Sequence, residues 1–168
     1  SSEGKAVRFA STDARAMGRV SKGVRGMRLP EGHEVIAMVI PEDEGYLLTV
    51  CQNGYGKRTK VEEFPTKGRG GKGMIAIQAS ERNGPLVGTT QLFSGDEIML
   101  ISDQGTMVRT RGDEVSVVGR NTQGVRIIRL KDNENLVSLA RIAEPEEEEL
   151  IEGEEGGEGE SSEVAAEE

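Results

Sequence analysis

Hydrophobic positions in this 168-residue chain fall in short runs rather than at helical spacing, and turn-forming residues close each run. Residues 46–51, 74–79 and 86–93 read as strands on this pattern. Between the runs lie Asn53-Gly54, Asn83-Gly84-Pro85, Ser94-Gly95-Asp96 and Lys131-Asp132-Asn133, where a positive φ or a fixed proline φ is readily accommodated. Past Gly95 the same pattern predicts strands near 97–102, 106–111, 124–130 and 136–142. Four strands in roughly 50 residues is the length and strand count of one propeller blade. A longer segment, residues 112–123 in this case, separates the second strand from the third and has room for a brief helical turn.

The pattern repeats. Gly4, Gly54 and Gly105 each open a G-x-x-x-R motif ending in Arg8, Arg58 and Arg109, at offsets of 50 and 51 residues. Fourteen residues after each of those glycines begins a second motif, G-R-x-x-[KQ]-G, at 18–23, 68–73 and 119–124. Two motifs recurring three times at one internal spacing mark a repeat architecture far more firmly than either would alone. The period divides the chain into units at 1–44, 45–96 and 97–143, three blades of an all-β, propeller-like ring, with 144–168 left over. With the glycines aligned, Ser1 stands opposite Cys51 and Ser102, so the strand matching 46–50 and 97–101 would precede the chain. The first blade is therefore truncated, which predicts a piece cut from a longer protein.

Charge separates the body from its end. The chain carries 30 acidic and 21 basic side chains, but 13 of the acids are glutamates beyond residue 143, where no Lys or Arg occurs. Residues 1–143 thus hold 17 acids against 21 bases, a net charge of +4. Segment 144–168, glutamate-rich and nearly without hydrophobes, is expected to stay disordered, either as a solubilising tail or as an electrostatic competitor for the anion that the body binds. No apolar run approaches the roughly 20 residues of a membrane span. No secretory signal opens the chain, and the single cysteine, Cys51, can form no internal disulfide. A reducing cytoplasm suits these features.

Repetition also places cations periodically. A polyanion needs positive charge spread along one surface, and a 50-residue period brings each repeated cation to a matching place on successive units. Arg19, Arg69 and Arg120 recur in all three units, Lys22 and Lys72 in two, and Arg25 matches Arg126. Lys57, Arg58, Lys67 and Arg109 complete the candidate DNA contacts, with the G-x-x-x-R arginines the more structural among them. Glycines beside an arginine let phosphate approach backbone N–H groups, which positions a duplex without reading its sequence.

Catalytic readings find little support. Residues 68–73 are glycine-rich, but a phosphate-binding P-loop needs G-x-x-x-x-G-K-[ST], and Gly73 follows Lys72 here. The only histidine, His33, sits in a turn, and Cys51 ends an apolar strand as a small buried hydrophobe. Asp43 with Glu44, and Asp113 with Glu114, read as turn carboxylates rather than acid–base pairs.

Residues 52–59 (QNGYGKRT) and 118–125 (VGRNTQGV), followed by the acidic end, resemble the C-terminal domain of bacterial DNA gyrase A. That resemblance covers essentially all of 1–143. It implies a six-bladed β-pinwheel whose four-stranded blades exchange strands with their neighbours and bend duplex DNA around the rim, with the last three blades present here. The family's signature Q-R-R-G-G-K-G belongs to its first blade; residues 67–73 match the last five positions and depart at the first two, so they read as the equivalent element of a later blade. By resemblance this fragment has no catalysis and no cofactor of its own. The parent would be an ATP-hydrolysing type II topoisomerase that introduces negative supercoils, with ATP and Mg used elsewhere in a heterotetramer of two gyrase A and two gyrase B proteins, on the bacterial chromosome. Its catalytic tyrosine would lie in another domain, so Tyr55 is not a nucleophile. The equivalent domain of topoisomerase IV and a propeller serving as a protein-interaction platform are the alternatives; the latter needs exposed apolar or aromatic anchors, and only three Phe and two Tyr are available.

Overall fold

The computed structural model describes residues 1–143, which form β-strands and three single-turn 3-10 helices. In chain order the strands are β1 (Lys5–Ala6), β2 (Tyr46–Cys51), β3 (Tyr55–Lys60), β4 (Met74–Ile75), β5 (Leu86–Leu92), β6 (Glu97–Ser102), β7 (Met107–Arg111), β8 (Val125–Arg126) and β9 (Leu136–Ile142). All pairings between them are antiparallel. They make a four-stranded sheet in the order β5-β2-β3-β8, a three-stranded sheet β7-β6-β9 and a two-stranded sheet β1-β4. The helical turns, Ser11–Asp13, Val61–Glu63 and Gly112–Glu114, follow β1, β3 and β7 at equivalent places in the three units. The period read from the glycines is therefore the period of the fold, and its architecture is all-β and propeller-like.

The second and third units each give one strand away. β8 belongs to the third unit by sequence but pairs with β3 of the second, Tyr55 opposite Arg126. In the same way β4 of the second unit pairs with β1 of the first, Lys5 opposite Ile75. The hydrogen bonds repeat with the period. Amides of Ala76 and Ile77 donate to the Gly4 carbonyl at 2.8 and 3.1 Å, and those of Ile127 and Ile128 donate to the Gly54 carbonyl at 2.9 and 3.3 Å. Two successive amides on one carbonyl end the ladder and turn the chain inward. For that reason the third strands are two residues long, where the apolar runs 74–79 and 124–130 predict more.

Turning inward carries Ile77 and Ile128 into the core. Leu48 and Val50 of β2, Leu92 of β5, Ile98 and Leu100 of β6, Leu136 of β9, Val115 and Ile128 form one buried cluster between the four-stranded and three-stranded sheets. β2 is buried over four consecutive residues because both its faces are covered, whereas β6 alternates because only one is. Cys51, Ile77 and Leu86 form a smaller cluster toward the first unit. Burial pushes the Cys51 thiol up to about 12, so it behaves as a small hydrophobe. Within residues 1–44 only β1 is a strand. The segment matching β5 and β9 has no counterpart of β2 or β6 to pair with, and Val35, Met38 and Ile40 are accordingly 56%, 86% and 86% exposed.

Gly124 shows how tightly the donated strand is seated. Its φ is +73°, and a Cβ there would lie 2.5 Å from the Gly56 carbonyl oxygen. Left-handed backbone costs a side-chain-bearing residue about 1–2 kcal/mol, and backbone on the facing strand cannot yield cheaply. Gly124→Ala is expected to lower stability by at least about 2 kcal/mol and to raise amide exchange at Ile127 and Ile128. Exchange at those two positions unchanged from the parent chain would show that the exchanged strand is not held in this way.

Candidate nucleic-acid interface

A shared loop geometry follows from the exchange. Before each donated strand runs the G-R-x-x-[KQ]-G loop, and it lies on the preceding unit. Arg69 donates to the Arg25 carbonyl at 3.1 Å, and Arg120 donates to the Ile75 carbonyl at 2.8 Å. Position 75 is position 25 advanced by one period, so the two bonds are equivalent. Around 119–124 the preceding unit reads successive residues: Gln78 donates to the Asn121 side chain at 2.9 Å, Asn83 to the Gln123 carbonyl at 2.7 Å, and Arg82 to the Gly124 carbonyl at 3.3 Å. Each loop is thereby fixed across a unit junction.

Exposure sorts the candidate cations. Arg19, Lys22, Arg25, Lys67, Arg69, Lys72, Arg109 and Arg126 are exposed, and Arg120 is half-buried with its guanidinium 6.0 Å from the Phe64 ring. Lys67, Lys72 and Val7 flank a cleft of about 210 Å³ against the glycines of the 68–73 loop. Arg109 is held by Glu97 of its own sheet.

Lys57 and Arg58, grouped by sequence with the candidate DNA contacts, are instead buried. Lys57 is fully buried, and its Nζ donates to the carbonyls of Gly119, at 2.7 Å, and of Arg120. Burial pulls its ammonium down to about 8, opposed by the nearby Glu63. Val7 and Val108 stand at the matching positions, so this strut exists once. Arg58 donates to the Val115 carbonyl at 2.8 Å, to the Asp113 carboxylate at 2.7 Å and to the Asp113 carbonyl at 3.0 Å. Arg8 makes the equivalent contact one unit earlier, reaching the carbonyls of Val61 and Phe64 at 3.3 and 3.2 Å. Arg8 and Arg58 thus cap the helical turn of the following unit. Asp113 is the carboxylate in that clamp, and the N–H of Gly95 with Arg58 holds it below the usual aspartate range.

Arg82 carries no repeat signal and was not legible as a candidate. Its guanidinium lies 4.4 Å from the Tyr55 ring centroid, with Arg126 at 5.3 Å from the same ring. Among the described residues no group of His, Cys, Asp and Glu could hold a metal, and no helix is long and apolar enough to cross a membrane.

Comparison with known proteins agrees with this geometry. The family model described as "DNA gyrase C-terminal domain, beta-propeller" matches residues 1–42, 45–90 and 96–143. The DNA gyrase A protein of Pseudomonas aeruginosa is 54% identical over 172 residues, covering 99% of this chain and 19% of that protein. Its counterpart in Escherichia coli K12 is 51% identical over 166 residues, again 99% of this chain and 19% of that protein. The chain thus spans about one fifth of the length of these curated relatives. Among solved structures, a DNA gyrase A C-terminal domain matches with a TM-score of 0.77 at 31% identity, over 84% of this chain and 48% of that one. The C-terminal domain of a DNA topoisomerase IV shares the fold with the same TM-score at 20% identity, over 83% of this chain and 44% of that one. By the family match over most of its length, the chain belongs to the DNA gyrase C-terminal domain family of β-propellers.

Proposed function

We propose that this chain binds duplex DNA without regard to sequence and bends it over successive blades, as the C-terminal part of a gyrase A protein. One observation carries the reading: the G-R-x-x-[KQ]-G loops of successive units are anchored by equivalent bonds, Arg69 to Arg25 and Arg120 to Ile75, so that a cation recurs at the same place on each loop, with Arg69 and Lys72 exposed and Arg120 half-buried. Repetition across a rigid junction supplies the arc of phosphate contacts that a stiff duplex needs in order to curve. Lys67, Arg69 and Lys72 would act together on the second unit, Arg19, Lys22 and Arg25 on the first, and Arg109, Arg120 and Arg126 on the third. The blades themselves follow the units at 1–44, 45–96 and 97–143. Within the parent topoisomerase, assembled with gyrase B and a second copy of gyrase A in the bacterial cytoplasm, the bent segment would be presented for strand passage. Cleavage and ATP hydrolysis belong to other domains in this reading. Energy transfer between dyes at the two ends of a duplex tests the bend. An increase on adding the chain supports it, and binding with no change in end-to-end distance refutes it.

Residues 144–168 lie outside the described structure, and their 13 glutamates give an independent prediction. A polyanion tethered to a body of net +4 competes with DNA at high effective concentration, and screening weakens it as the Debye length falls from about 30 Å at 0.01 M salt to about 8 Å at 0.15 M. Deleting 144–168 is expected to tighten DNA binding at low salt and to have less effect at physiological salt. Equal dissociation constants for the whole and shortened chains at low salt would reduce the segment to a solubilising role.

A further inference from the structure

One charged cluster departs from the repeat. Tyr55, at the start of β3, faces Arg126 of the donated β8 across the second junction, and Arg126 donates to its hydroxyl at 2.7 Å. Arg82 places a second guanidinium over the same ring. Positions one period earlier are Lys5, Gly32 and Ile75, so the first junction has no such group. Both arginines are exposed, and among the described residues neither takes part in an ion pair. Arg126 also borders an open cleft of about 470 Å³ whose lining mixes Arg129 and Lys131 with Asp132 and Glu134. Two like charges against one ring, with no carboxylate between them, are relieved by an anion. The Tyr55 hydroxyl accepts from Arg126, which leaves its own proton free to donate. That set of donors, two guanidiniums and a phenol, suits a phosphodiester oxygen.

We infer that Arg82, Tyr55 and Arg126 form a phosphate-binding node for the backbone of duplex DNA at the junction of the second and third units. The inference rests on the DNA-binding reading above and extends it to two residues, Tyr55 and Arg82, outside the periodic cations. Arg120 and Arg126 are six residues apart, at most about 20 Å of extended chain, and phosphates recur along each strand every 3.4 Å or so of helix axis. One duplex can therefore lie on the loop and the node together.

The test uses the whole chain. Arg82→Gln with Arg126→Gln is expected to make the slope of log K against log salt shallower by about 1.8, two phosphate contacts at about 0.9 each. Arg82→Lys with Arg126→Lys keeps both charges and is expected to keep most of the slope, which preserves the test if the glutamine variant folds poorly. Arg69→Gln with Lys72→Gln serves as the reference for the periodic cations. If that variant flattens the slope while the Arg82/Arg126 variant does not, the node is overturned and the wider reading stands. If neither does, both fall. A second readout follows Tyr55 alone in a Tyr46→Phe chain. Arg126 holds the Tyr55 phenol below its ordinary pKa, and a phosphate accepting its proton would oppose that, so duplex DNA is expected to raise the midpoint of tyrosinate absorbance. Inorganic phosphate at equal ionic strength is expected to leave it unmoved. A rise of the same size with phosphate alone overturns the assignment to the DNA backbone, and no rise with DNA overturns the node.

Discussion

Arg58→Ala is expected to lower the stability of the folded chain by roughly 3 kcal/mol and to leave the salt dependence of its DNA binding unchanged. The guanidinium is buried and spends its donors on the Val115 carbonyl, the Asp113 carbonyl and the Asp113 carboxylate, all in the following unit. It also lies 4.9 Å from the Tyr46 ring centroid. Alanine removes the fork, leaves those acceptors without their donor and opens a void between two units. A loss of that size corresponds to a fall of roughly 10 °C in melting temperature for a domain of about 150 residues. Arg58→Lys keeps the charge but not the planar fork, so it is expected to recover only part of the loss. Thermal unfolding by circular dichroism measures the first effect, and a DNA titration of the variant well below its melting temperature measures the second. An unchanged melting temperature with a slope flattened by about 0.9 would mean that Arg58 contacts phosphate and that the clamp is not structural.

Neutralising Arg69, Lys72 and Arg120 together is expected to do the reverse. Lys72 is exposed with no inter-unit bond among its described contacts; Arg69, also exposed, gives two guanidinium nitrogens to the Asp13 and Arg25 carbonyls of the preceding unit, and the half-buried Arg120 gives one to the Ile75 carbonyl. Glutamine at the exposed Arg69 and Lys72 and the half-buried Arg120 keeps a polar side chain at each place, and substitutions outside the core rarely cost much stability. Each lost phosphate contact removes about 0.9 from the slope of log K against log salt, so the triple variant is expected to be shallower by about 2.7. Melting temperature should stay near that of the parent chain. A large loss of stability with an unchanged slope would assign these residues to the junction alone.

Much of this fold was legible because glycine and turn chemistry recur with the period. Strands predicted at 97–102 and 136–142 are β6 and β9 residue for residue, and the brief turn expected after residue 112 is Gly112–Glu114. Which sheet a strand joins was less legible. Periodicity fixes that Gly124 precedes a strand, but pairing of β8 with β3 depends on how one unit sits against the next, a property of neither sequence segment alone. Resemblance supplied the idea of exchange; geometry supplied its register. At the candidate interface the limit was burial. Lys57 and Arg58 belong to the same run of polar residues as any surface strand, yet β3 is covered by β2 on one side and by the donated strand with its loop on the other. Arg82 escaped notice for the opposite reason, since no repeat marks it and its importance comes from a tyrosine 27 positions earlier that folding brings under it.

Equilibrium binding of the whole chain to two duplexes of unrelated sequence, followed by fluorescence anisotropy over a salt series, tests the central claim most directly. Contacts confined to phosphates predict dissociation constants that agree between the duplexes at every salt concentration, with a common slope of about −4 or steeper, the mark of four or five phosphates engaged at once. A preference of tenfold or more for one sequence, or a slope near zero on both, would contradict a surface of repeated cations that tracks the DNA backbone.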